Sequence, residues 1–202
     1  MKNLKTLAVI AFAALSTTLV SAQTKAKAPQ EKAQTQGKNI DVAKSTIKWT
    51  GKKVTGQHEG TINFKEGTLL FKNNKLERGK FTVDMNSIAV TDLKAGEGKE
   101  KLEGHLKADD FFGTDKFATA SIMFTKVTPK ANGVYTVTAN LKIKEKTNPV
   151  TFDITVKGNT ATANLVVDRT KYDIKYGSGS FFDNLGDKAI SDNFDLAVSL
   201  QF

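Results

Sequence analysis

From Ser45 to Phe202 apolar and polar residues alternate with a period of two, and this limits what the chain can fold into more than any other property. A β-strand sends successive side chains to opposite faces, so each alternating run describes a strand with one buried and one wetted face. Ile47 and Trp49 alternate with Lys48 and Thr50, and His58, Gly60, Ile62 and Phe64 share one face of the next run. Leu69 and Phe71 follow a turn expected at Glu66-Gly67, and Phe81, Val83 and Met85 come after the Asn73-Asn74-Lys75 turn. Ala120, Ile122 and Phe124 share a face, and Tyr135, Val137, Ala139, Leu141 and Ile143 make the longest clean alternation. Val150 to Val156 and Ala161 to Val167 are joined by Gly158-Asn159, a strong hairpin signal. Phe194 to Phe202 closes the series.

Eight or nine strands joined by short turns make an antiparallel sheet. A sheet of that many strands, apolar on one face only, must close into a barrel or fold into a sandwich. A barrel of about eight strands has room for one small ligand if its inward residues do not fill it. Two segments break the alternation. In "DLKAGEGKEKLEGHLKADDFF" Leu102 and Leu106 are four apart, which suits a short helix preceded by a loop. The stretch "YGSGSFFDN" carries Gly177, Gly179 and the Phe181-Phe182 pair and reads as irregular.

The first residues have the three parts of a secretory leader: Lys2 and Lys5, an apolar run from Leu7 to Leu15, and small residues at Val20-Ser21-Ala22. Cleavage is expected near Ala22, giving an exported protein, periplasmic or secreted. Residues 23–44, rich in lysine, glutamine and alanine, read as a flexible basic linker, with residues 45–202 as the folded domain. The chain has no cysteine, which excludes disulfides, thiolate catalysis and cysteine zinc sites together. The formal charge is +9, and removal of Lys2 and Lys5 would leave +7. Such a charge admits nucleic acid or an anionic membrane surface as partner classes. The lysines are dispersed, however, so they read as a solvated face. No nucleic-acid partner is expected, and at most a weak contact with an anionic envelope surface.

The stretch "LEGHLKADDFFGTDKF", Leu102 to Phe117, raises the question of chemistry most sharply, with a histidine and three aspartates among three phenylalanines. His105 and Asp109 are four apart, but the other histidine, His58, lies on a distant strand, and His58-Glu59 lacks the second histidine of a metalloprotease motif. No side chain sits in a recognisable nucleophile setting. The residues read instead as an apolar plug, with Phe111 and Phe112 turned to the core and the aspartates at the rim. No catalysis, cofactor or metal is expected. Arg169 continues the inward face of Ala161 to Val167, and a charge there is costly unless paired. Its partner is expected to be Asp173 or Asp115, or else an anionic or polar ligand group that its guanidinium can fork.

Four stretches together are similar to the YceI-like family of exported lipid-binding proteins. They are "VTGQHEGTINFKEGTL", then "HLKADDFF" followed by Phe117 and "SIMF", then "LKIKEKTNPVTFDI", and then "VVDRTKYDIKYGSG". Ala118 stands where the family usually has proline, and "KEKTN" replaces the commoner arginine-glycine turn. The resemblance implies a single all-β domain, a lipocalin-like antiparallel barrel with a short helix between strands. It also implies that the interior holds a polyisoprenoid or other long-chain amphiphile. The apolar residues on the inferred inward face are then the expected lining: Trp49, Ile62, Phe64 and Phe71 early in the chain, and Phe81, Met85 and Phe112 after them. Phe124, Leu141, Phe152 and Leu165 complete it, with Arg169 and His58 expected near a head group. The alternative is a filled barrel that works as a stress-related or envelope-surface interaction module with no interior ligand.

Overall fold

A computed structural model describes residues 34–202. The expected leader and the first part of the linker lie outside the described residues. The strands are β1 (Thr35–Asn39), β2 (Thr46–Lys53), β3 (Gly56–Lys72), β4 (Lys75–Val90), β5 (Thr119–Pro129), β6 (Val134–Ile143), β7 (Lys146–Lys157), β8 (Thr160–Asp168) and β9 (Ile190–Gln201). One helix, α1 (Lys99–Lys107), lies between β4 and β5. Every strand pairing is antiparallel. The order β3-β2-β9-β8-β7-β6-β5-β4 closes when β4 pairs back onto β3, giving an eight-stranded barrel with β1 added alongside β3.

Closure satisfies the backbone groups that an open sheet would leave at its edges. It also turns the apolar face of every strand inward. Leu69, Val90, Val137, Ala139 and Ile174 are wholly buried, and Ile154, Ala161 and Val167 nearly so. Tight connections fall where the sequence supplies residues tolerant of positive φ. Asn73 and Asn74, at φ 50° and 61°, make the β3–β4 turn, a geometry matched to the twist of the paired strands.

Two expectations are corrected. Glu66-Gly67 is not a turn, because β3 runs unbroken from Gly56 to Lys72. A register shift between Phe64 and Glu66 moves the inward parity from even to odd, so Phe64 and Leu69 both face in. Gly67 is needed for packing: a Cβ there would lie 2.3 Å from the Phe81 ring and 2.9 Å from Ile40. Nor is the end of the linker free. Thr35–Asn39 pair with Thr68–Lys72, and Ile40 is buried beneath them. This strand is fastened by backbone bonds and one apolar side chain, so no alternation announces it.

Trp49 depends on another glycine. A Cβ on Gly60 would lie 1.9 Å from the Ala89 carbonyl oxygen and 2.4 Å from the Trp49 indole, whose Nε1 donates to the Thr61 carbonyl at 3.3 Å. Gly60→Ala is therefore expected to lower stability by at least about 1–3 kcal/mol, the usual cost of overpacking. Urea unfolding monitored through Trp49 checks this, and an unchanged midpoint would contradict the close packing.

Candidate functional site: an apolar cavity with one polar end

Closing eight strands around residues of unequal size leaves a cavity of about 200 Å³ along the inside of the barrel. Trp49, Ile62, Phe64, Phe81, Met85, Phe112, Phe124, Leu141, Phe152, Leu165 and Arg169 all lie on its wall. Four rings form a continuous band around one side, with centroids 5.9 Å apart for Phe64–Phe81, 5.8 Å for Phe81–Phe124 and 5.9 Å for Phe124–Phe152. Phe124 and Phe152 meet across the intervening β6 because that strand presents the small Ala139 beside Phe124. Such tilted contacts suit aromatic quadrupoles and hold the rings in place.

The wall also includes residues not expected there. Phe194, Leu196 and Val198 of β9 line the cavity, as do Leu106 and Phe111 of the helical segment. Their period-two or four-residue spacing marked them as inward without separating lining residues from packed core. Polar side chains are few. Arg169 is the polar side chain that reaches the wall, at the end of the barrel where α1 and the segment from Arg169 to Ile190 sit, whereas Ser121, Ser191 and Asn193 have the outward parity of their strands.

Two expected contacts lie elsewhere. His58 shares the inward parity of Ile62 and Phe64 and pairs with Gly51 near the ends of both strands, but it is not on the cavity wall although Gly51 is. Its Nδ1 lies 2.8 Å from Asp92 Oδ2, and Asp92 Oδ1 accepts from the Glu59 N–H at 3.0 Å. Burial works to raise the Asp92 pKa, but the Glu59 N–H and His58 outweigh it and hold the carboxyl below the usual range. His58 thus staples β3 to the segment that leads into α1. Phe71 is buried at the opposite end, 5.7 Å from Phe202 and capped by Lys38, where the extra strand closes the barrel.

Arg169 is the charged group on the wall and is only 2% exposed. Neither Asp173 nor Asp115 is its partner; Asp173 binds Lys175 at 2.8 Å. The guanidinium instead donates to three backbone carbonyls: Nη1 to Ile174 at 2.8 Å, Nη2 to Ile190 at 3.0 Å and Nε to Ser191 at 2.9 Å. Asp192 lies 3.8 Å away and Phe111 packs over the guanidinium at 5.8 Å. Burial draws the Arg169 pKa down, while Asp192 and Asp168 oppose that shift. Local sequence could not reveal this arrangement, because two of the three acceptors lie more than twenty positions away and are backbone atoms of no special residue type.

The plug reading of Leu102 to Phe117 matches the geometry. Leu106, Phe111 and Phe112 face the cavity, with the Phe111 and Phe112 rings 5.2 Å apart. The charges stay at the rim: Asp109 binds Lys116 at 2.6 Å, and Asp110 lies 3.4 Å from His105. Glu103 accepts from the Val90 N–H at 2.8 Å, and Lys144 donates to the carbonyls of Asp109 and Phe111, so the plug is tied to the barrel on two sides. Among the described residues no three His, Asp or Glu side chains converge on one point.

Known proteins share this architecture. BcnA of Burkholderia cenocepacia superimposes with a TM-score of 0.64 at 23% identity, over 80% of this chain and 98% of its own. A polyisoprenoid-binding domain from Saccharophagus degradans, implicated in plant cell wall breakdown, gives 0.54 at 13% identity, over 81% and 97%. In sequence, the UPF0312 proteins of Shewanella denitrificans and Shewanella oneidensis are 35% and 31% identical over 92 and 91 residues. The chain spans about half the length of these curated relatives, 46% and 45%. The sequence model of the YceI-like domain matches residues 39–202, from the end of β1 through β9 and so through every strand of the closed barrel, and the chain belongs to the YceI-like family.

Proposed function

We propose that this protein is an exported, non-enzymatic carrier that holds a polyisoprenoid or other long-chain amphiphile in its barrel. The observation that carries the reading is the cavity of about 200 Å³ with an almost wholly apolar wall, closed at one end by the buried Arg169. A dry apolar cavity of about 150 Å³ suffices for benzene, so one of about 200 Å³ can hold a hydrocarbon segment. Burial of each methylene contributes about 0.8 kcal/mol, so a chain of about ten carbons contributes about 8 kcal/mol against the cost of association. Arg169 has three of its donors committed to carbonyls, which favours a structural role there. Export is supported by the leader-like first 22 residues.

The test is mass spectrometry of an organic extract of the purified protein. The expected result is a long-chain apolar molecule in near-stoichiometric amount, retained through a high-salt wash because interior burial is indifferent to screening. An extract without lipid, together with failure of the stripped protein to take up a fluorescent fatty-chain probe, would favour the filled barrel.

A further inference from the structure

The end of the barrel where Arg169 meets the cavity also presents an apolar surface that the cavity does not use. Tyr176, Phe181 and Phe182 are about half exposed, at 46%, 50% and 50%, and Val54 on the β2–β3 turn is 66% exposed. They are held there by the fold. Arg169 clasps the carbonyl of Ile174 where this loop begins and those of Ile190 and Ser191 where it ends. Ser178 within it is wholly buried and bridges to Ile190, and its carbonyl accepts from the N–H groups of both Phe181 and Phe182. The backbone is therefore pinned while two adjacent rings point outward. Exposed rings concentrated on one anchored loop mark a contact surface.

This surface adjoins the cavity. Lys52, Lys53, Val54, Gly179 and Ser180 line a shallow groove with Ile190 and Ser191, and the last two also belong to the cavity wall. Phenyl and phenol rings with ammonium groups beside them, as where Lys175 lies 5.1 Å from the Phe181 ring, suit the boundary between the polar and apolar layers of a bilayer. Charge selects the kind of bilayer. Beside the loop Lys175 is paired with Asp173 at 2.8 Å and Lys52 with Asp195 at 2.6 Å, so lysines there already have acidic partners. Paired lysines give the tip little pull on anionic lipid.

We infer that Tyr176, Phe181 and Phe182, together with Val54, dock this end of the barrel onto a zwitterionic lipid bilayer and so set the Arg169 end of the cavity against the membrane. The inference rests in part on the carrier reading, since an apolar chain is scarce in water and a carrier must take it from a membrane. The experiment is co-sedimentation of the purified protein with phosphatidylcholine vesicles. The wild type is expected to bind, with little change in high salt. The double variant F181S/F182S, altered outside the cavity, is expected to keep its melting temperature and to bind at least about tenfold more weakly, since each ring would lose the burial of about half its surface. Leu141→Trp, which blocks the cavity, is expected to bind vesicles as the wild type does.

Absence of wild-type binding, or equal binding by F181S/F182S, overturns the inference. Binding that requires phosphatidylglycerol and collapses in high salt also overturns it, by assigning the contact to dispersed lysines. A concentration-dependent dimer that the double variant abolishes, without vesicle binding, would seat a second copy on the patch and overturn it as well. Normal vesicle binding by a wild type that yields no lipid on extraction and takes up no fatty-chain probe would sustain the docking surface and defeat the carrier reading, so the two fail separately.

Discussion

Arg169→Met is expected to lower the stability of the fold by about 3 kcal/mol or more, because three buried carbonyls lose their donor at about 1–3 kcal/mol each. The guanidinium satisfies the carbonyls of Ile174, Ile190 and Ser191 in a region where little water can replace it. Methionine leaves them without that donor and frees the segment between Ile174 and Ile190 from its anchor. Arg169→Lys is expected to lose less but still substantially, because one ammonium cannot span three acceptors that a planar fork reaches together. The measurement is the urea midpoint of stripped protein, where a shift at constant slope reports stability alone. Unchanged stability with a selective loss of affinity for an anionic chain over a neutral one would make Arg169 a ligand-facing group.

Leu141→Trp is expected to abolish bound lipid while costing less than about 1 kcal/mol in stability. In a filled core the larger side chain would force neighbours off their rotamers, at about 1–3 kcal/mol. Here Leu141 is on the wall of a cavity of about 200 Å³, so the indole can occupy space that is otherwise open to a ligand. Its β6 backbone is held on both sides, opposite Ile122 and Asn148, so the substitution has little freedom to distort the strand. Thermal unfolding of stripped protein and extraction of unstripped protein are read together. A destabilised variant with wild-type lipid content would place the ligand elsewhere.

Both variants turn on residues whose surroundings were legible in the sequence to different degrees. Leu141 was legible because alternation assigns a face locally: each strand residue is inward or outward by parity, whatever its neighbours do. The same argument put ten of the thirteen expected residues on the cavity wall, and Phe112 reaches it from the plug. It failed where parity and position part. His58 has the inward parity but sits near the end of β3, where the pairing that reaches it is Asp92 from the segment after β4. Phe71 is inward only because a bulge resets the count, and it falls at the end that β1 closes.

The sequence by itself determined the strand class, most turns, the short helix and the apolar side of each strand, since all of these follow from spacing and from residues tolerant of special backbone angles. It determined too that a charge at Arg169 must have partners, because desolvating a guanidinium is costly whatever the fold. Tertiary structure alone decided who those partners are, since any carbonyl can accept and only closure brings Ile174, Ile190 and Ser191 to one point. It decided likewise that Thr35–Asn39 form a strand, because backbone bonds to Thr68–Lys72 carry no side-chain signature. And it decided that the inward face encloses a cavity, because whether side chains fill a barrel depends on how eight strands stagger around a common axis and not on the pattern of any one of them.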